Sequence, residues 1–370
     1  MIFSCNRAEL LESLLNVQKA VAVNSVNPAL SGVYVKSQGS ENLIISGYDL
    51  QFGITRQIDA NVKKFGEIVL PAKLFTEIIR NMDGDTVEVS VSDNLLTTIK
   101  SGLTETTIIA IDPTEFPSFP TVDGEKTLSV PSGKLKGMIE QTIYAVSTEE
   151  IKPVHTGIKF ESENNVLTMV AVDGSRLALC KCGCEGENVS FVVPGKVMNE
   201  ISRMIKETEE GKMCDIYLSD KHILFSLEGY KVFSRLLEGK FLDYKNAIPK
   251  SHVTSVVINT RDFIKSISKA SVIINDRFKE PVKISFEEGC ITVLCKTPLG
   301  KVQDVFTAEK EGKDLLIGFN NKYLLDALKN SFCDQVVLRF GGEIAPMTVT
   351  PIEGDDFLFV VLPVRIKNEI

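Results

Sequence analysis

GEIVLPAKLFTEII (residues 66–79), VSFVVPGKVMNEIS (189–202) and KDLLIGFNNKYLLDAL (313–328) follow one pattern. A run rich in β-branched residues and leucine meets a Pro or Asn breaker, then a lysine, then apolar residues at helical spacing. Lys73, Lys196 and Lys322 fall at matching places, at offsets of 123 and 126. A second series agrees without sharing a residue with the first. NRAELLESLL (6–15), SGKLKGMIEQTI (132–143) and NTRDFIKSIS (259–268) open on Asn, Ser or Thr, the side chains that cap helices, and align Leu10, Leu135 and Phe263 at offsets of 125 and 128. Two series with one period predict a threefold internal repeat.

Between these helices lie alternating runs such as DTVEVSVSDNLLTTI (85–99), CDIYLSDKHILFSL (214–227) and DQVVLRFGGEIAPMTV (334–349), broken by Asn, Asp and Gly. Alternation predicts strands with one face buried, and the breakers predict hairpins. The expected class is α+β, with three repeated domains over 1–123, 124–250 and 251–370, each made of antiparallel sheets and two helices. A length of 370 residues suits two or three ordinary domains, each able to bury its own core, and three large copies are too few for a solenoid.

No apolar run approaches the roughly 20 residues of a membrane span. The start MIFSCNRAEL lacks the basic-then-apolar layout of a signal peptide, so a cytoplasmic protein with no membrane contact is expected. There, scattered cysteines read as reduced core residues. Cys180, Cys182 and Cys184 invite a zinc reading, but no second ligand pair lies near them and His155, His222 and His252 are distant in sequence, so neither metal nor cofactor is expected. Catalysis is not expected either. The chain holds no GxxxxGK[ST], GxSxG or HExxH, and the Asp-Gly of AVDGSR is explained by a tight turn.

A net charge of −8 argues against nucleic acid unless the charges are segregated, and they are. Windows covering the six helices (7–19, 71–81, 131–145, 194–206, 260–270 and 321–330) together carry +7, which leaves −15 on everything else. Helices that lay an apolar stripe on a sheet must turn their charges outward. Lys196, Arg203, Lys206, Lys265, Lys269 and Lys322, with Lys73, Arg80 and Lys134, then form one basic surface on an acidic body. Solvated helix faces of no consequence would look the same in one domain; repetition in three favours a function. Two such chains would supply twelve helices. At spacings of about 8–10 Å they would line a circumference of about 110 Å. The opening, about 35 Å across, exceeds a duplex whose groove depths imply a width of about 20 Å. Such a ring would hold duplex DNA by topology and without sequence preference.

The phrases that follow carry a family resemblance. AVDGSRLAL (171–179) resembles the A-T-D-G-H-R-L-A element of bacterial sliding clamps, the beta subunits of DNA polymerase III. SRLLEGKFLDY (234–244) is similar to their R-L-I-[DE]-G-x-[FY]-P-[DN]-Y element, and VLPVRI (361–366) resembles their terminal [ML]-P-[MV]-R-L. The resemblance implies a DNA sliding clamp, a processivity factor closing as a head-to-tail dimeric ring. It also implies an apolar groove between the second and third domains that receives short Q-L-x-L-F-like peptides from the DNA polymerase III alpha subunit, the clamp loader and repair proteins. Carried over, Val172, Gly174, Ser175, Arg176 and Leu177 form one wall, with Leu242 and Ala247 nearby. Phe278, Asn320, Tyr323, Met347, Leu362, Pro363, Val364 and Arg365 supply the rest. For the ring seam the family implies that Val272 and Ile273 of one subunit meet the strand around Ile108 of the other.

Three positions depart from the family's pattern. Leu242 replaces the usual proline, His155 replaces a frequent leucine and alters one pocket's polarity, and Asn24 stands where a basic residue is common. The competing reading is a scaffold unrelated to DNA, for which the basic helix faces would have no role.

Overall fold

The computed structural model describes residues 1–366 apart from 121, 123, 124, 207–210, 276 and 278. Asp123, at one expected domain boundary, and Phe278, assigned to the groove, lie outside the described residues.

Each repeat is itself a pair of like halves, strand–helix–three strands. In the first repeat, strand Ile2–Asn6 leads into helix α1 (Arg7–Val17), followed by strands Gly32–Gln38, Asn42–Tyr48 and Phe52–Lys64. Strand Glu67–Pro71 then leads into α2 (Ala72–Arg80) and strands Thr86–Val91, Leu96–Ser101 and Thr104–Ile109. The second repeat carries α3 (Ser132–Ile143) and α4 (Gly195–Met204), and a short helix α5 (Tyr244–Ala247) follows it. The third carries α6 (Thr260–Ser271) and α7 (Asn321–Lys329). The two helix series read in the sequence are therefore the first and second halves of one sixfold series.

The aligned residues do what alignment demands. Leu10, Leu135 and Phe263 are wholly buried, while Lys73, Lys196 and Lys322 are exposed. Side-chain caps fix the starts: Asn6 Oδ1 accepts from Glu9 N and Asn259 Oδ1 from Asp262 N, each at 3.0 Å. Such caps are worth about 1 kcal/mol each. Burying Phe75, Phe263 and Leu324, all fully enclosed under their helices, contributes roughly 1.5–3 kcal/mol apiece.

The halves are tied together by exchanging their first strands. Ile2–Asn6 pairs with Thr86–Val91 of the other half, and Glu67–Pro71 with Gly32–Gln38. The third repeat does the same, Thr254–Asn259 joining Gln335–Phe340 and Leu315–Phe319 joining Val282–Glu287. A half cannot then complete a sheet alone.

The last strand of each half lies at a sheet edge, and four of the six edges are matched in pairs. Phe52–Lys64 of the first repeat pairs antiparallel with Tyr230–Arg235 of the second, and Arg176–Gly183 of the second with Phe357–Val361 of the third. Thr104–Ile109 and Gly300–Phe306 have a neighbour on one side only among the described residues. Because sheets run through the junctions, the chain packs as two compact units, 1–135 with 200–236 and 136–199 with 237–370. Each holds one outer repeat and half of the middle one. No described helix is long and apolar enough to cross a membrane.

Candidate functional site

The AVDGSR phrase forms a turn between strands Val166–Val172 and Arg176–Gly183. Asp173 Oδ1 accepts from Ser175 N at 2.9 Å and Arg176 N at 3.1 Å, and Gly174 takes φ 90°, a left-handed value that suits glycine. The turn aims Arg176 inward. Its guanidinium meets Asp173 Oδ2 at 2.8 Å and Asp326 Oδ2 of α7 at 2.5 Å, and lies 4.5 Å from the Tyr323 ring centre and 5.4 Å from that of Tyr144. Burial disfavours its charge, but the two carboxylates outweigh burial and raise its pKa. Burial likewise pushes the Tyr144 hydroxyl well above its usual range, so that phenol stays neutral.

The C-terminal segment is stitched against this turn. Leu362 N donates to Ser175 O at 2.9 Å and Val364 N to Gly318 O at 2.8 Å. Asn320 caps α7, its Oδ1 accepting from Lys322 N at 2.9 Å, which presents Tyr323 to Arg176. Beside the stitched segment lies a cavity of about 600 Å3 lined by Leu316, Glu343, Ile344 and residues 362–366. A second, of about 500 Å3 and lined by Lys279, Glu280, Lys283 and Lys296, shares Val364 and Arg365 with it.

The structure thus brings Ser175, Arg176, Asn320, Tyr323 and Leu362 together through direct contacts, with Pro363, Val364 and Arg365 continuing along the two cavities. Val172, Leu177 and Met347 are buried, and Met347 is fully enclosed in a strand paired with Val361. Leu177 belongs to an apolar cluster with Val170, Leu179, Tyr244 and Val360, against which Phe241 and Ile248 pack. Gly174, Leu242 and Ala247 are exposed. His155 is half-buried with its ring 5.4 Å from that of Phe241, and burial and then Lys152 lower its pKa. Glu161 anchors α5: it accepts from Tyr244 Oη at 3.0 Å, Lys245 Nζ at 2.9 Å and Lys159 Nζ at 2.8 Å. Burial pushes its pKa up, yet those three donors overcome burial and hold it down to about 2.

Asp326, Tyr144, Ile344 and Leu316 were missed by the sequence reading. Ile344 is 85% exposed, and an isoleucine following Gly-Gly-Glu in a turn was the one local signal available. Asp326 lies 150 residues from Arg176, and nothing in the chain links them before it folds.

All nine basic residues assigned to the helix faces are exposed. Several share their charge with nearby carboxylates: Arg80 with Glu77, Arg203 with Glu200 at 2.9 Å, Lys206 with Glu12 at 2.9 Å, Lys265 with Asp262 at 3.7 Å and Lys269 with Asp304 at 2.9 Å. Exposed pairs of this kind hold by 0–1 kcal/mol, roughly, and exchange easily for other anions. On the open edge strand Thr104–Ile109, Ile109 is 73% exposed beside half-buried Ile108, while Val272, just past the end of α6, is 81% exposed beside half-buried Ile273. Among the described residues no three His, Cys, Asp or Glu side chains group as a metal site. Cys180 and Cys184 are buried, near Met138 O and Ser162 Oγ, each at 3.5 Å.

The family models of the DNA polymerase III beta subunit match in order: the N-terminal domain over residues 1–120, the central domain over 129–243 and the C-terminal domain over 245–365. The chain is 34% identical to the beta sliding clamp of Halalkalibacterium halodurans across 99% of this chain and 100% of that protein. It superposes on the crystal structure of the DNA polymerase sliding clamp from Bacillus subtilis with a TM-score of 0.95 at 30% identity, covering 99% of this chain and 100% of that one. For the DNA polymerase III beta subunit of Thermotoga maritima the TM-score is 0.91 at 27% identity, with the same coverage. With three family models in register, full-length relatives and one shared fold, the chain belongs to the bacterial beta sliding clamps, the beta subunits of DNA polymerase III, and is a three-domain, non-catalytic processivity factor.

Proposed function

We propose that two copies of this chain close head to tail into a ring around duplex DNA in the cytoplasm. The groove around Arg176 then tethers the DNA polymerase III alpha subunit, the clamp loader and repair proteins through short apolar peptides. The domains are 1–123, 124–250 and 251–370; the family matches break at 120 to 129, which spans the first of these boundaries, and at 243 to 245, a few residues before the second.

One observation carries ring closure. At both internal junctions, the last strand of one repeat's first half pairs with the last strand of the next repeat's second half. Applied once more, that rule leaves Gly300–Phe306 to pair with Thr104–Ile109 of a second copy, the two of the six last strands that keep an open side among the described residues. Such edges invite pairing, and a twofold axis makes both seams at once. Ile108, Val272 and Ile273 would supply the apolar contact there. The nine exposed basic side chains would face the duplex. Their easily exchanged ion pairs suit loose phosphate contacts that permit sliding.

In the groove, apolar anchors would enter beside Leu362 and Val364 while Arg176 and Arg365 orient the peptide, a division of labour usual in such sites. Retention on DNA distinguishes this reading from a scaffold. Loaded on a nicked circular plasmid, the protein should resist a high-salt wash and be released when the plasmid is linearised. Equal retention on circular and linear DNA would overturn it.

A further inference from the structure

The junction between the first and second repeats is built on the same frame as the groove but filled differently. Asp49 Oδ1 accepts from Gln51 N at 3.0 Å and Phe52 N at 2.7 Å, with Leu50 at φ 75°, which is the Asp173 turn over again. Gln51 O accepts from Arg235 N at 2.8 Å, as Ser175 O does from Leu362 N at 2.9 Å. In that register Ser46, Gly53 and Thr55 stand where the groove side has Val170, Leu177 and Leu179, and Phe233 and Lys231 stand where it has Val360 and Leu358.

The consequence is a space. At the second junction these positions close into an apolar cluster under Tyr244. At the first, the smaller side chains leave a cavity of about 390 Å3 walled by Ile44, Phe116, Phe119, Leu224 and Phe233. That volume lies within the roughly 300–1,000 Å3 range of ligand pockets. Phe119 takes up the room left by the missing side chain: a Cβ on Gly53 would stand 2.3 Å from its ring, which stacks on Tyr48 at 4.7 Å. Phe116 stacks on Tyr34 at 4.9 Å.

One position reverses its charge and another gains one, while Tyr34 stands where the other junction has Lys159. Lys36 occupies the strand position that Glu161 holds at the other junction, and Lys231 replaces Leu358. Both lysines line the cavity and both are exposed. The carboxylate nearest Lys36 is Glu67 at 3.4 Å, a loose pair between half-exposed side chains. On a body that is acidic outside its helices, this is a cationic rim around an apolar hole.

We propose that this cavity is a second peptide site, taking a short acidic segment of a partner protein whose aromatic or branched apolar side chain enters between Phe116 and Phe233. The proposal rests on reading the groove at the second junction as a peptide site. It differs in the residues it uses.

The test uses the full chain and two labelled peptides, acidic DEFDEL and its basic twin KKFKKL, with the groove-type peptide QLSLF as control, all followed by fluorescence anisotropy. DEFDEL should bind wild type and Arg176→Ala alike. It should bind at least tenfold more weakly to Lys231→Glu and to Thr55→Leu, which fills the cavity without touching its charge, and KKFKKL should bind wild type at least tenfold more weakly than DEFDEL. Unfolding midpoints checked alongside show that both variants fold. No saturable DEFDEL binding, or binding lost in Arg176→Ala but kept in both cavity variants, overturns the proposal. QLSLF reports separately on the groove: binding to Lys231→Glu but not to Arg176→Ala supports that reading, and no binding to wild type overturns it whatever DEFDEL does.

Discussion

Arg176 is held by two carboxylates and two aromatic faces with only 13% of its side chain exposed, so its removal leaves Asp173 and Asp326 facing each other without a cation. Arg176→Ala should lower unfolding free energy by about 1–3 kcal/mol and weaken groove-peptide binding at least tenfold, as urea titration and calorimetry would measure. Unchanged peptide affinity would remove Arg176 from the groove. Glu161 predicts a pH effect. Its folded pKa of about 2 lies below the unfolded value of roughly 4.3. The stability it contributes is therefore present above pH 4.3, roughly, and is lost as pH falls from there through about 2. The gap in urea midpoint between wild type and Glu161→Gln should be open at neutral pH and close in that window; a gap that persists at the acid end would contradict the assignment. The turn at Asp173 was legible because Asp-Gly is local chemistry. Arg176 was legible as a side chain needing a partner, but which partner depended on packing that brings α7 to it.

At the scale of elements, the helices were readable from capping residues and apolar spacing, and their basic faces from simple counting. Replacing Lys196, Arg203 and Lys265 with neutral residues should reduce retention on circular DNA. It should also flatten the salt dependence of binding by roughly 0.9 in log–log slope for each phosphate the variant no longer neutralises, measured over a salt series; an unaltered slope would mean these side chains do not meet phosphate. The open edges give a sharper test. Ala110 N donates inward to Leu95 O, so by the period of a strand the N–H of Thr107 points outward. Thr107→Pro should leave the fold intact and weaken the pairing of two copies, moving mass in light scattering toward 40.8 kDa. An unshifted mass would exclude that edge from the seam. The pairing of halves inside each repeat escaped the sequence reading although both kinds of half begin alike, on a short strand that runs into Asn (Asn6, Asn259, Asn320) or Pro (Pro71, Pro131, Pro194). The exchange of first strands is a long-range choice with no local signature.

For the molecule as a whole, net charge misleads and distribution informs: an acidic protein reserves its positive charge for one class of element. The threefold repeat was visible because each copy repeats the same helix signals at nearly constant offsets. The two compact units were not, because they arise from sheets continuing through the junctions, which only strand pairing reveals. The proposed ring closure extends that same pairing rule to the two last strands left open among the described residues, and small-angle X-ray scattering on the purified protein tests it most directly. A particle of twice 40.8 kDa with a depleted centre is the predicted result. A compact monomer at every concentration would contradict ring closure and leave the basic helix faces without a duplex to surround.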